Sequence, residues 1–114
     1  MTETVKIRFS KHASLDYDRI SLYLVEDLCQ FQAAQKFSQG IELLLLNLAS
    51  FPMLGKLYDN GKFISKPYRR ASFDRYTVFY LYHEDRQLIE VYRILSGVAD
   101  HSILIKDVGE MYEI

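Results

Sequence analysis

The side chains with the clearest capacity for chemistry are five cations and four aromatics gathered in one segment: Lys62, Phe63, Lys66, Tyr68, Arg69, Arg70, Phe73, Arg75 and Tyr76. Cations pair with phosphates or carboxylates, and aromatic faces stack on bases. The plainest reading is a solvated edge strand and loop whose lysines discourage edge-to-edge pairing. A second is contact with nucleic acid, and a third is a positive groove that receives an acidic peptide of a protein partner. The charge balance suits the third. Net charge is −1, which argues against a dominant, sequence-independent grip on nucleic acid. The charge is also unevenly placed, because only Asp74 opposes the five cations between Lys62 and Arg75. From Asp100 to Ile114 four acids stand against Lys106 alone.

Other site classes lack their signatures. His12, His83 and His101 are far apart, and neither H-x-x-x-H nor C-x-x-C occurs, so no metal site is expected. No G-x-x-x-x-G-K-[ST], G-x-G-x-x-G or G-x-S-x-G stretch indicates a phosphate cradle, a nucleotide cofactor or a nucleophile elbow. Asp16 and Asp18 stand two apart on a helix and point in different directions, which reads as a solvated face. Cys29 is the single cysteine; it excludes an intramolecular disulfide, fits a reducing compartment, and reads as a buried helix-end residue. Arg93 alternates with Val91 and Leu95, so it shares their side of a strand. A buried arginine demands a carboxylate or carbonyl partner, which predicts an anchor tying the strand to a helix.

These residues need elements to hold them. At 114 residues the chain suits one domain, able to bury a core without disulfides or metal. Val5, Ile7 and Phe9 alternate with Lys6 and Arg8, a half-buried strand. Ser10 is placed to cap a helix over about 11–28, with Ala13, Tyr17, Ile20, Leu24 and Leu28 on one face. After a break near 27–32, Ala34, Phe37, Ile41, Leu44, Leu45 and Leu48 mark a second, antiparallel helix ending near Pro52. Its run Leu43–Leu46 is wider than one core-facing stripe needs, and predicts packing on both a sheet and the first helix. Asp59-Asn60-Gly61 signals a turn before a short strand over 62–66. The strongest strands are 76–82 and 87–95, joined by a loop over 83–86. Bulky residues on both faces make 76–82 central. No targeting signal or apolar run long enough for a membrane span is present, so the cytoplasm is the expected location.

The order β-α-α-β-β-β, with A-A-x-x-F (Ala33, Ala34, Phe37), F-P-x-L-G (Phe51, Pro52, Leu54, Gly55), Y-x-V-F-Y (Tyr76, Val78, Phe79, Tyr80) and V-Y-R-I-L-x-G-x-x-D (Val91–Leu95, Gly97, Asp100), resembles the RelE/ParE superfamily of bacterial type II toxins. The resemblance spans about residues 5–102. It implies an α+β fold with an antiparallel helical hairpin packed on a small twisted, mainly antiparallel sheet. It also implies a single toxin domain over 1–114 of a plasmid-stabilisation type, neutralised by a cognate antitoxin. Residues 103–114 would form a partner-binding or poorly ordered tail. Assembly as a homodimer, or as a heterotetramer with the antitoxin, is compatible with it.

Two mechanisms divide the superfamily. RelE-like members cleave messenger RNA on the ribosome with basic residues and a Tyr or His near the C-terminus; here that set would be Arg69, Arg70, Arg75, Arg93 and His101. ParE-like members poison DNA gyrase without an established nuclease role. Relatives often read R-I-L-H-G-A-R-D after the last strand, whereas this chain reads R-I-L-S-G-V-A-D. Ser96 and Val98-Ala99 thus stand where a histidine and an Ala-Arg pair are common. An RNase needs a base, an acid and cations at the phosphorane, and the tail offers only His101 and Tyr112. The resemblance therefore points to the ParE-like branch, without catalysis, with Lys66, Arg69, Arg70, Arg75, Arg93 and Tyr112 as partner-binding residues. A third possibility is a degenerate, non-toxic antitoxin-binding module.

Overall fold

The computed structural model describes residues 5–58 and 66–96. Its order is strand β1 (Lys6–Phe9), helix α1 (Lys11–Leu22), helix α2 (Phe31–Ser50), then strands β2 (Lys56–Leu57), β3 (Arg69–Phe73), β4 (Tyr76–His83) and β5 (Leu88–Ser96). The five strands form one sheet in the order β1-β5-β4-β3-β2. Every pairing is antiparallel except β1 with β5, where Lys6 to Phe9 run alongside Leu88 to Val91. This is the α+β helical-hairpin fold that the motifs implied, with β4 at its centre. Two strands were not legible: β2, and β3 within the basic segment. The turn and strand expected over 59–65 lie outside the described residues.

Ser10 ends β1 and starts α1. Its hydroxyl accepts the Ala13 N–H at 3.0 Å, and its own N–H continues the parallel ladder to the Val91 carbonyl at 2.8 Å. The strand-to-helix corner is thereby fixed to β5. After Leu22 the helix widens into a π-type turn over Tyr23–Asp27, where the Leu28 N–H reaches back five residues to the Tyr23 carbonyl. Cys29 breaks the helical path with φ of 51° and is exposed. The expectation of a buried cysteine fails because the chain turns outward at that residue.

The helices cover one face of the sheet. Phe37, Ile41, Leu44 and Leu48 of α2 pack with Val78 and Tyr80 of β4 and with Ile89, Val91 and Ile94 of β5. Each such large side chain, fully buried, contributes about 1.5–3 kcal/mol. Phe37 heads an aromatic group, 4.6 Å from the Tyr76 ring and 6.4 Å from Phe73 by centroids. Gly40 is required in α2 because a Cβ there would run into the Phe73 ring. The opposite face holds a second cluster of Tyr68, Phe79, Leu81, Tyr92 and Leu95. The leucine run is only partly used. Leu44 is buried and Leu45 partly so, but Leu43 and Leu46 are 61% and 59% exposed. The expected packing of α2 on the sheet is present, but it uses Leu44 and Leu45 and leaves Leu43 and Leu46 at the surface.

Candidate functional site

The basic residues are divided by strand geometry rather than brought to one point. In β3, alternation sends Ala71 and Phe73 into the helix-side core, and Arg69 follows them. Arg69 Nη1 donates to the Gly55 carbonyl at 2.8 Å, with the Met53 carbonyl at a weaker 3.5 Å. Arg70 takes the opposite face, exposed, with its guanidinium 5.7 Å from the Tyr58 ring centroid. Arg75 occupies the exposed β3–β4 turn beside Asp74, whose φ is 53°. Lys66 is half-buried just before Pro67. His101 and Tyr112 lie outside the described residues.

Arg93 is an anchor. Its Nε and Nη2 donate to the two carboxylate oxygens of Asp16 at 2.6 and 2.9 Å, a bidentate pair. Asp16 Oδ2 also accepts the Ile94 N–H at 3.0 Å. The reason lies in the sheet. β1 ends at Phe9, opposite Val91, so the edge of β5 beyond that point lacks a strand partner. Ser10 Oγ donates to the Tyr92 carbonyl, and Asp16 then takes the next free donor. The helix-tied anchor expected for Arg93 is thus present, although the parity argument behind it fails. A register shift opposite Phe79 and Tyr80 puts Val91 and Leu95 in clusters on opposite faces. Asp16 is not on a solvated face: it is 4% exposed. Its place three residues after Ala13 and four before Ile20 was the available signal, a charge set within the apolar stripe. Asp18 is exposed as expected.

A second latch joins two of the sequence motifs. The Tyr80 hydroxyl donates to the Pro52 carbonyl at 2.8 Å and accepts the Gly55 N–H at 2.9 Å. Burial pushes this phenol up, partly offset by the Gly55 bond and the Arg69 charge. Gly55 has no room for a side chain, since a Cβ would lie 2.7 Å from both the Arg70 carbonyl and the Tyr80 hydroxyl.

The sequence did not point to Glu90. It accepts from Arg8 at 2.6 Å, pairs with His83 Nε2 at 2.6 Å, and has the Tyr92 hydroxyl at 3.4 Å. Burial alone would raise its carboxyl, but hydrogen bonds and charge from Arg8 and His83 outweigh burial and hold it below the usual range. Arg8 faces Glu90 across the β1–β5 ladder, and no spacing along the chain marks such a cross-strand contact. Its bonds to Arg8 of β1 and His83 of β4 tie β5 to both neighbouring strands.

A concavity of about 1100 Å³ lies between the end of α1, the start of α2 and the β3–β4 turn. Phe37, Phe73 and Tyr76 line it together with Leu22, Tyr23 and Arg75. Leu15, Leu22, Tyr23 and Leu28 contribute to its lining and are each more than 40% exposed. The arrangement suits apolar contact with a macromolecule. Among the described residues, no group of three or more His, Cys, Asp or Glu side chains is placed to hold a metal, and no helix is long and apolar enough to cross a membrane.

Comparison with known proteins agrees with the fold. Among solved structures, the chain is similar to the RelBE2 toxin–antitoxin complex from Mycobacterium tuberculosis. The TM-score is 0.56 and the identity 16%, over 83% of this chain and 100% of the other. That likeness concerns the fold. No protein of curated function matches the chain. The family model described as the ParE toxin of type II toxin–antitoxin system, parDE, matches residues 7–100. The chain therefore belongs to the ParE toxin family of type II toxin–antitoxin systems, within the RelE/ParE superfamily.

Proposed function

We propose that the chain is a toxin of plasmid-stabilisation type that inhibits DNA gyrase by binding, and that a cognate antitoxin neutralises it. The observation that carries this reading is the allocation of the arginines. Arg69 holds the loop carbonyls of Met53 and Gly55, and Arg93 is locked on Asp16. A cation engaged in this way is not available to a phosphorane. The apolar side chains of the helical hairpin, by contrast, face outward around a large cleft. That surface, with Arg70, Arg75 and Lys66 beside the sheet and the tail over 103–114, would carry the partner contacts of a single toxin domain. A similar fold has been solved as a toxin–antitoxin complex, which supports an antitoxin partner here.

The test is purified protein, free of any antitoxin, added to gyrase with relaxed plasmid. Supercoiling should fall and cleaved complexes accumulate. Unchanged gyrase activity, together with cut messages on induction in cells, would replace this reading with a ribosome-dependent endoribonuclease. Unchanged growth on induction would instead identify a non-toxic antitoxin-binding module.

A further inference from the structure

We infer that the chain's own acidic tail, residues 97–114, seats on the face of the sheet opposite the helices, beside Arg70. The first observation is burial without a cover. Tyr68, Phe79, Leu81, Tyr92 and Leu95 form the cluster on that face, and none is more than 7% exposed. Both helices pack on the other side, and among the described residues no helix residue joins this cluster. Neighbours within a sheet shield the flanks of a side chain, but its outward tip meets water unless a further layer lies over it.

The cover has to come from chain outside the described elements, and topology favours the tail. Residues 1–4, Met-Thr-Glu-Thr, are few and mostly polar. Residues 59–65 leave β2 and return to β3, where the Tyr58 N–H bonds the Tyr68 carbonyl at 2.8 Å. They are tethered at that edge, and β5 lies about 10 Å beyond β3. Residues 97–114 instead continue directly from the end of β5 at Ser96, next to Leu95 of the cluster. Their eighteen residues can cross five strands, which at about 4.8 Å apart span roughly 19 Å. Ile103, Leu104, Ile105, Val108, Met111 and Tyr112 supply apolar surface to match the cluster.

Charge points to the same seat. Arg70 and Lys56 are register partners, both exposed, and the Arg70 guanidinium lies 5.7 Å from the ring centroid of Tyr58, which packs against the cluster. The tail carries Asp100, Asp107, Glu110 and Glu113 against Lys106 alone. Apolar residues thus meet an apolar cluster, and acids meet cations at its rim. A second copy offers the same segment, but a tail tethered at Ser96 has the higher effective concentration. A partner that reaches Arg70 then has to displace the tail first.

The test places a nitroxide in the full chain, with Cys29→Ser removing the native thiol and Lys106→Cys receiving the label, and reads backbone amide signals by NMR. Broadening should fall on Leu81 and Tyr92 and spare Glu42 and Leu46 of α2. Lys56→Glu combined with Arg70→Glu should cut the broadening by about half or more, with Arg70→Gln as the milder variant should the pair fail to fold. Adding Glu110→Lys and Glu113→Lys to the reversed chain should restore it, which a mere change in stability does not do. Absence of broadening in β4 and β5 overturns the inference and assigns the cover to residues 59–65. Broadening indifferent to charge reversal at Arg70 overturns the basic seat. Broadening between a nitroxide-bearing chain and a separate isotope-labelled chain overturns it in favour of a second copy's tail. None of these readouts uses gyrase, so this inference and the proposed target stand or fall separately.

Discussion

Two arginines, Arg93 in β5 and Arg69 in β3, each join the sheet to a neighbouring segment, and they do so by different chemistry. Arg93 meets a full negative charge, bidentate, with Asp16 4% exposed and Arg93 13% exposed. Arg69 meets neutral carbonyls at a half-exposed loop, where the Tyr80 hydroxyl supplies the companion bonds. The first site couples a charge to a charge out of water, so neither partner tolerates loss of the other. The second shares its load among several bonds, worth about 0.5–1.5 kcal/mol net where both partners are neutral and about 1.5–3 kcal/mol where the Arg69 guanidinium donates. One chain therefore contains an all-or-none joint and a graded one.

Breaking the charged joint should have the largest effect. Asp16→Ala strands the Arg93 guanidinium and the Ile94 N–H together, for an expected loss of about 3–5 kcal/mol in urea unfolding. Asp16→Asn keeps an acceptor for Ile94 and should cost less. A double variant, Asp16→Asn with Arg93→Gln, should be more stable than the sum of its single changes predicts. Additivity would show that the two side chains do not act as a pair. The graded joint should answer more softly: Tyr80→Phe leaves the Gly55 N–H and the Pro52 carbonyl without the hydroxyl, at about 1–3 kcal/mol. A Tyr80→Phe loss as large as that of Asp16→Ala would erase the distinction between the joints.

The smallest effect concerns Glu90, which sharpens the contrast because its Arg8 partner sits at the surface. Its carboxyl is held below the ordinary range. The stabilisation is therefore complete above the unfolded value, about 4.3 for a glutamate, and is lost as pH falls through the lower folded value. Glu90→Gln should be less stable than wild type near neutral pH, with the gap closing in acid. Denaturation midpoints between pH 3 and 7 measure it, and a gap that is constant with pH would remove Glu90 from the account. Arg8 is largely exposed, so solvent screening keeps its share small.

The elements that could be read in advance share a property: their residues carry the period of the structure they form. β1, both helices and the β4–β5 hairpin were legible on that ground. β3 was not, because Arg69-Arg70-Ala71-Ser72-Phe73 puts only a small Ala71 and one aromatic on the core side, and cations and a serine obscure the alternation. Asp16 shows the complementary failure. The stripe through Ala13, Tyr17 and Ile20 is legible, yet the two-residue spacing of Asp16 and Asp18 reads as a solvated face and hides the carboxylate set among them. Its requirement comes from a backbone donor 78 residues away, which no local pattern encodes. The motifs themselves are explained by the latches. F-P-x-L-G and Y-x-V-F-Y are two halves of the contact among Pro52, Gly55 and Tyr80, and the arginine of V-Y-R-I-L is the hand that grips α1.

The parallel pairing of β1 with β5 also bears on when the chain completes its fold. Residues 6–9 find their partners only at 88–91, and Asp16 has nothing to hold until Arg93 and Ile94 exist. During synthesis from the N-terminus, α1 and α2 are complete long before the strand that completes their floor. The sheet closes last at its first strand, a long-range step that slows folding relative to local contacts. A nascent chain therefore has no finished sheet until translation has passed Ser96. The interval before closure is a window in which a partner already waiting in the cell can meet the chain first.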